Sequence, residues 1–295
     1  MEHSFTVIEA GVLTEAHGLD QPVPWWSFTK IILAATALVL VRDGRLVLDR
    51  TVRSRPFTLR QLLQHQSGLA DYGGLAAYHE AVARGDEPWP VSELLERTDA
   101  CHLRFEPGQG LSYSNIGYLT VRELIEEAAG EDLNMAISRM VLRPLDISGA
   151  RIVRTPADLA GVAMGSASSY HPGWVYHGLA VGPLRDAALL LDRLMTGDLL
   201  PSDLLEAMRE AHPVSEPNPS RPWHRPGYGL GLMSGIASSG HKVMGHTGGG
   251  PGSVIAVYHR PDATPMTAAA FAFGDDLGQV EKIAFQPRPI PLANR

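Results

Sequence analysis

The segment WWSFTKIILAATALVLV, residues 25–41, places a lysine at the head of an apolar run that contains no charged residue. A helix that is apolar on all sides is a buried helix, and the run falls short of the roughly 20 residues that span a bilayer. A buried ammonium is costly unless neighbouring groups compensate it. The pattern predicts a buried helix over residues 27–42 with Ser27 as its N-cap, and Lys30 either turns out to solvent or is kept inside for its chemistry.

Ser27 and Lys30 are separated by three positions, which puts both side chains on one face of a helix. Burial lowers the pKa of a lysine towards neutral pH, and the neutral amine that results can take a proton from a hydroxyl. A serine at a helix N-terminus also faces unpaired backbone N–H groups, which favour negative charge. The pair predicts a serine nucleophile with a lysine base. The structural alternative is a lysine whose amine reaches solvent from the start of the helix.

Two later stretches carry groups that would complete such a site. Tyr113 and Asn115 lie in the turn-rich segment FEPGQGLSYSN, from which a phenol and an amide can both face a cleft. The segment HTGGG, residues 246–250, is typical of a strand that ends in glycines, where exposed backbone N–H groups can bind an oxyanion. The structural alternatives are a buried phenol with one hydrogen bond, a helix cap at Asn115 and a strand histidine that donates to a carbonyl.

The motifs S-x-x-K, Y-x-N and H-T-G, in this order, resemble those of the serine β-lactamase and penicillin-binding-protein superfamily. The tyrosine of the second motif and the histidine of the third are most similar to the class C β-lactamase-related branch, which includes esterases, D-alanyl-D-alanine carboxypeptidases and D-amino-acid amidases. Flanking segments such as LRQLLQHQSGLADY, FEPGQGLSYSNIGY and GHTGGGPG extend the likeness over most of residues 25–275.

The resemblance implies a role for most residues of these motifs. Ser27 would be the acylated nucleophile, and Lys30 and Tyr113 would share the proton transfers. Asn115 would support Lys30. The backbone N–H groups of Ser27 and Gly249 would form the oxyanion hole, which stabilises the charge that develops during acyl transfer.

Further residues are expected to contact the substrate. His246 would flank the cleft, and because a histidine stands where the family often has a lysine, the standing positive charge for a substrate carboxylate is weakened. Residues 161–183 read as a long irregular loop, and loops of this length are usually functional. We therefore expect the substrate pocket to include Thr247, Gly248, Trp174 and His177.

These features favour a serine hydrolase that acts through an acyl-enzyme on an ester or a simple amide. A β-lactamase or D-alanyl-D-alanine peptidase of the same mechanism is the first alternative. A relative that has kept the pocket as a non-catalytic, ligand-binding module is the second. Acyl transfer to an acceptor other than water has the same sequence features as hydrolysis.

The order of elements predicts the fold class. Short strands within residues 5–18 and several strand-like segments near the C-terminus bracket a long helix-rich stretch, which is typical of an α/β (α+β) protein. By the resemblance, the fold is β-lactamase/transpeptidase-like, with an antiparallel sheet flanked by helices plus an inserted all-helical lobe, in a shortened version. We expect one catalytic domain over residues 1–295, with a sheet lobe of residues 1–26 and about 225–295 and a mostly helical lobe of about 27–224.

Composition bears on partners and compartment. The net charge of −7 argues against nucleic acid and anionic membrane surfaces as partners, so the expected partner is a small-molecule substrate. The lone Cys101 is expected to be a buried, inert thiol, and with no secretory signal pattern at the N-terminus the predicted location is cytoplasmic. His65 is expected to be structural, and His171 and His177 lack metal-site spacing, so no metal and no cofactor are predicted. The sequence does not indicate an oligomeric state.

Overall fold

The computed structural model describes residues 3–52, 55–214 and 217–286. Its strands are β1 (His3–Glu9), β2 (Val12–His17), β3 (Val23–Pro24), β4 (Arg151–Val153), β5 (Leu179–Gly182), β6 (His212–Pro213), β7 (Trp223–Tyr228), β8 (Met233–Ala237), β9 (Lys242–Gly250), β10 (Ser253–Arg260) and β11 (Met266–Phe273). Eight of them form an antiparallel sheet in the order β2-β1-β11-β10-β9-β8-β7-β6, and β3, β5 and β4 form a second, small sheet. The large sheet therefore joins segments from both ends of the described chain.

The helices occupy most of the chain between β3 and β6, with one more after β11. They are α1 (Thr29–Arg42), α2 (Leu59–Leu63), α3 (Ala76–Arg84), α4 (Val91–Arg97), α5 (Asn115–Ala129), α6 (Leu133–Ile137), α7 (Leu184–Thr196), α8 (Ser202–Arg209) and α9 (Leu277–Phe285). Short 3₁₀ turns lie at Trp26–Phe28, Pro156–Leu159 and Pro172–Trp174, and a π turn at Ser138–Leu142 continues α6.

Local sequence signals explain where several helices begin and end. The Thr58 hydroxyl accepts from the backbone N–H of Gln61, whose side chain accepts from the backbone of Thr58 in return, so a capping box starts α2. Ser114 caps α5 by accepting from the backbone N–H of Gly117. The same helix ends at Gly130, whose φ of 68° is a left-handed conformation that glycine adopts at little cost. Asn115 is thus the first residue of α5 and leaves the capping to Ser114.

Helices cover both faces of the large sheet. Successive residues of a strand point to opposite faces, and Val254, Ala256 and Tyr258 of β10 pack with α9 in one apolar cluster. The intervening Ile255 and Val257 belong to the main core, which also contains α1 and α7. The sheet is therefore the middle layer between α9 on one face and the helical part of the molecule on the other.

Helix α1 is the central element of the main core. Every residue from Thr29 to Leu40 is buried, and the helix packs against α5. The predicted buried helix is confirmed, but Ser27 is not its N-cap. Ser27 lies in the 3₁₀ turn Trp26–Phe28 that leads into α1, and no side chain caps either element.

The predicted antiparallel sheet flanked by helices is confirmed. The inserted lobe is mostly helical rather than all-helical, because β4 and β5 lie within it and pair with each other. The division into two lobes differs in detail from the expected one. Helix α7 falls in the range expected for the helical lobe but packs against β1, β10 and β11, because its apolar stripe covers the sheet. Residues 1–2 and 287–295 of the expected sheet lobe lie outside the described residues.

The expectation that Cys101 is a buried thiol is wrong, because its side chain is exposed. The residue follows the C-terminus of α4 in a turn that leaves the side chain in solvent.

Across the described ranges, none of the helices combines the length and the hydropathy that crossing a membrane requires.

Candidate active site

Ser27 is held at the cleft by the strained turn that precedes α1. Trp26 has a φ of 42°, a left-handed conformation that costs a non-glycine residue roughly 1–3 kcal/mol. Both neighbouring indoles anchor the turn, since Trp25 donates to the Gly182 carbonyl at 3.2 Å and Trp26 donates to the Ser253 hydroxyl at 3.0 Å. The strain is therefore offset by contacts to two different sheets, and the serine between them and α1 lines the cleft.

The amine of Lys30 is buried and has three polar neighbours. Its Nζ lies 2.7 Å from Asn115 Oδ1, 3.3 Å from Ser27 Oγ and 3.3 Å from His177 Nε2. Burial lowers the pKa of Lys30 from 10.5 to about 7, against the opposing effect of the Asp71 carboxylate. A substantial share of the amine is thus neutral at neutral pH, within reach of the serine hydroxyl.

Tyr113 is the second group in contact with the serine. Its hydroxyl donates to Ser27 Oγ at 2.9 Å, and Lys30 Nζ lies 4.9 Å from the centre of its ring. Burial raises the pKa of Tyr113, with the hydrogen bond to Ser27 acting in the opposite direction. The side chain is 37% exposed, so solvent in the cleft limits this effect. Tyr113 is therefore a protonated phenol in this arrangement, rather than a phenolate base.

Residues that the sequence did not single out for the site orient Tyr113 and Asn115. The Asp71 carboxylate accepts from the backbone N–H of Asn115 at 2.7 Å and from that of Gly73 at 3.0 Å. His65 accepts from the backbone N–H of Ser114 at 3.0 Å, and its ring lies 4.3 Å from that of Tyr113. The expected structural role of His65 agrees with these contacts. Asp71 carried a weak signal, as a lone acid in the loop that follows α2.

His246 lies at the opposite wall of the cleft and is neutral. Its Nδ1 is 2.7 Å from the Thr247 carbonyl and its Nε2 is 2.8 Å from the Tyr228 hydroxyl. A carbonyl only accepts, so Nδ1 carries the hydrogen and Nε2 accepts from Tyr228. Burial lowers the pKa of His246 to about 3. The imidazole therefore supplies no positive charge to a ligand.

The glycines after Thr247 allow β9 to approach the turn that carries Ser27. The pairing of β8 with β9 ends at Met233 opposite Gly245, and β9 continues alone on that side towards the serine. A Cβ atom on Gly248 would lie 2.7 Å from the backbone nitrogen of Ser27 and 2.9 Å from the Trp25 carbonyl. One on Gly250 would lie 2.5 Å from the Trp26 ring. Side chains at these two positions would push the strand away from the serine.

The cleft beside Ser27 has a volume of about 750 Å³, and one member of an ion pair, Arg221, is among its lining residues. Arg221 lines the cleft, and its Nε donates to Glu281 Oε2 at 2.9 Å, with a second contact between Nη2 and Oε1. Glu281 is fully buried on α9, where Thr247, Tyr258 and the Trp223 indole also donate to it. The positive charge of Arg221 is thus balanced by a carboxylate.

The structure places the expected pocket residues in different surroundings. Thr247 and Gly249 line the cleft, whereas Gly248 packs behind the Ser27 turn. The expectation that Trp174 lines the pocket is wrong. Its ring is buried 5.2 Å from Trp89, and its indole N–H donates to the Asp86 carbonyl at 3.0 Å, because the loop turns its aromatic side chains into the core.

His177 also does not line the cleft; it is buried against Lys30. Asp99, Cys101 and His102 are the group of metal-ligand type that comes together in the described part of the chain. All three are exposed on the turn after α4, and none of them lines the cleft beside Ser27.

The sequence matches a known family model and several curated proteins. The family model described as Beta-lactamase matches residues 6–278. A D-aminopeptidase from Brucella anthropi is 31% identical over 147 residues, which are 47% of this chain and 28% of that protein, so this chain spans less than a third of that relative.

Two solved structures show the same fold over nearly the whole chain. A D-stereospecific amidohydrolase from Streptomyces sp. has a TM-score of 0.76 at 24% identity, covering 97% of this chain and 94% of that one. An octameric penicillin-binding protein homologue from Pyrococcus abyssi has a TM-score of 0.79 at 22% identity, covering 97% and 72%. The predicted β-lactamase/transpeptidase-like fold is confirmed.

Proposed function

The chain belongs to the Beta-lactamase family, and from this premise we propose that it is a serine hydrolase that forms an acyl-enzyme on Ser27 with an ester or a simple amide. The contact of Ser27 Oγ with two proton carriers supports this proposal most directly. Tyr113 donates to it at 2.9 Å, and the buried Lys30 amine lies 3.3 Å away. A nucleophile paired with a base of lowered pKa inside a cleft is the arrangement that covalent catalysis requires.

The proposed reaction assigns each group one task. Neutral Lys30 takes the proton of Ser27 as its Oγ bonds to the substrate carbonyl carbon, and the backbone N–H groups of Ser27 and Gly249 stabilise the oxyanion. Tyr113 relays a proton from Lys30 to the leaving amine or alcohol when the carbon–nitrogen or carbon–oxygen bond breaks. Water then attacks the acyl carbon, the bond between that carbon and Ser27 Oγ breaks to release the acid, and the proton of the water passes to Ser27 Oγ through the same groups.

The charges of the cleft support a substrate without a carboxylate beside the scissile bond. His246 is neutral, Arg221 is paired with Glu281, and Asp71 adds a carboxylate to the lining. A substrate carboxylate would thus meet no unbalanced cation among these groups. The names of the compared proteins, an aminopeptidase and an amidohydrolase, favour an amide over an ester.

The test compares the wild-type protein with Ser27→Ala, using the exposed Ser202→Ala as the matched control. The substrates are a short-chain p-nitrophenyl ester, the p-nitroanilides of D- and L-amino acids, and a chromogenic cephalosporin. We expect a burst and a covalent mass adduct with a fluorophosphonate in wild type and in Ser202→Ala. Ser27→Ala should lose the adduct and at least about a thousandfold in rate.

Each result decides between the candidate functions. An ester burst of equal size in Ser27→Ala would show that Ser27 is not the nucleophile. Absence of any adduct and any turnover in wild type would favour the non-catalytic, ligand-binding relative. A cephalosporin rate well above the ester and anilide rates would assign the β-lactamase activity instead, and would show that Arg221 accepts a substrate carboxylate despite Glu281.

A further inference from the structure

His177 has no task in the reaction described above, yet it touches the amine that starts it. The residue lies between the turn Pro172–Trp174 and β5, is 2% exposed, and places Nε2 3.3 Å from Lys30 Nζ. Its other nitrogen, Nδ1, is buried with no hydrogen-bond partner among the described residues. Native cores seldom leave a buried polar group unpaired. The polar contact that the structure gives this buried imidazole is the one between its Nε2 and the Lys30 amine.

The three neighbours of Lys30 Nζ determine where its lone pair points. A neutral amine has two N–H groups and one lone pair, and it is the lone pair that must face the Ser27 hydroxyl for proton transfer. Asn115 Oδ1 accepts one N–H at 2.7 Å. If His177 Nε2 accepts the second, the remaining position, 3.3 Å from Ser27 Oγ, is left to the lone pair.

The tautomer of His177 decides whether this arrangement holds. With the hydrogen on Nδ1, Nε2 is an acceptor and takes an N–H of Lys30. With the hydrogen on Nε2, the imidazole would donate into the lone pair and compete with Ser27 for it. Asn115 accepts only through its oxygen, so the second N–H of the amine requires a second acceptor, which His177 provides.

We propose that His177 is a positioning residue for acylation: its Nε2 accepts one N–H of neutral Lys30 and, together with Asn115, directs the lone pair of the amine towards Ser27. This inference rests on the proposed serine hydrolase function. Burial and the charge of Lys30 lower the pKa of His177 well below its usual range, so the imidazole is neutral at neutral pH and one of its ring nitrogens is free to accept. The other titratable groups around the pair are Asp71, His65, His246, Tyr113, Tyr118 and Arg122.

Two substitutions separate acceptance of a hydrogen bond from simple packing. His177→Leu fills the site with an apolar side chain of similar volume, and His177→Gln restores an acceptor near the position of Nε2. The readout is the rate constant for acylation by an activated ester, measured by stopped flow from pH 5 to pH 9. His259→Leu is the matched control, since His259 is equally buried but bonds to Thr267 in the sheet.

The Leu variant should lose about tenfold to a hundredfold of the plateau acylation rate, the effect of one hydrogen bond to a chargeable group. Its acid limb should also move to lower pH, because the ammonium loses one of three acceptors and its pKa falls. The Gln variant should recover most of the rate, and KM should change much less than kcat. A wild-type plateau and acid limb in His177→Leu would overturn the proposal, as would a Gln variant that is as impaired as the Leu variant.

A second measurement does not depend on turnover. In protein labelled with ¹⁵N-histidine, the spectrum of His177 should show a protonated Nδ1 and an unprotonated Nε2 whose shift follows the titration of Lys30 near pH 7, and Lys30→Met should abolish this response. A protonated Nε2 would overturn the proposal. Failure of the fluorophosphonate to label wild-type Ser27 would instead overturn the proposed function, while the NMR result would still decide the contact of His177 with Lys30.

Discussion

At the scale of single residues, Lys30 reduces the stability of the fold below the pH at which it loses its proton. The amine is fully buried, and burial lowers its pKa from 10.5 to about 7. The unfolded chain therefore binds more protons than the folded chain between these pH values, so stability must rise with pH across this window. Below pH 7 the amine is charged in both states, and its burial lowers the free energy of unfolding by at most about 5 kcal/mol, at 1.36 kcal/mol per pKa unit.

This linkage gives a prediction for Lys30→Met, which removes the titrating group and keeps an unbranched side chain only one atom shorter. The variant should be more stable than wild type at pH 6, and the difference should shrink by about 2–3 kcal/mol between pH 6 and pH 9. The measurement is urea unfolding of both proteins at several pH values. The pH-dependent contributions of the other titrating groups are the same in both proteins and cancel in the difference between their free energies of unfolding. A difference that stays constant with pH would contradict a buried Lys30 with a lowered pKa.

The sequence predicts the motif residues better than it predicts their surroundings. Ser27, Lys30 and Asn115 have local or motif signals, and the structure places Lys30 Nζ within 3.3 Å of both Ser27 Oγ and Asn115 Oδ1. Trp174 lies in an irregular loop, where no periodicity indicates which side chains turn inward. The pairing of Arg221 with Glu281 joins residues far apart in sequence, so no local pattern could reveal that the cleft cation is neutralised.

At the scale of elements, the approach of β9 to the Ser27 turn determines where the serine sits. Gly248→Ala keeps every functional group but adds a Cβ atom 2.7 Å from the Ser27 backbone nitrogen and 2.8 Å from Trp26 Cβ. We expect the strand to shift, the acylation rate to fall at least about tenfold, and stability to drop by about 1–3 kcal/mol, as for other overpacked sites.

Fluorophosphonate labelling and thermal unfolding measure the two effects in Gly248→Ala. Gly74→Ala is the matched control, because an added Cβ atom there meets nothing within 4 Å and the backbone needs no left-handed conformation. A Gly248→Ala protein that labels at the wild-type rate would show that β9 does not position the serine.

Element boundaries were predictable where a side chain pairs with nearby backbone. The Thr58–Gln61 capping box and the stop at Gly130 both follow from residues a few positions apart. The start of α1 was not predictable in this way, because Ser27 Oγ contacts the side chains of Lys30 and Tyr113 rather than a backbone N–H of the first turn of the helix. Contacts with residues of the cleft therefore replace the N-cap role that the position of Ser27 suggests.

At the scale of the whole molecule, Glu281 connects α9 to the sheet and to Arg221 in the lining of the cleft. It accepts hydrogen bonds from groups on β7, β9 and β10 and from Arg221, and it is fully buried. Removing one partner of a buried ion pair leaves the other charge uncompensated, which typically costs about 3–5 kcal/mol.

Glu281→Gln should therefore destabilise the protein by several kcal/mol, measured by chemical unfolding. Glu93→Gln is the control, since its pair with Arg97 is an exposed pair one helical turn apart on α4, worth less than about 1 kcal/mol. Equal losses in the two variants would show that the buried pair contributes no more than a surface pair. The unbalanced Arg221 should also bind carboxylate-bearing inhibitors more tightly in Glu281→Gln than in wild type.

The pairing of β1 with β11 has a consequence for how the protein is made. Val7 pairs with Ala268, and Gly248 packs on Ser27, so the sheet and the site both join segments more than two hundred residues apart. On a ribosome, the serine and its lysine emerge long before the strand that completes their surroundings. A nascent chain therefore carries Ser27 without the strand that packs against it, and the hydrolysis proposed above would begin only after β9 has been made. Such non-local closure is also slow to fold, which makes the late stage of synthesis the point at which help from a chaperone would matter most.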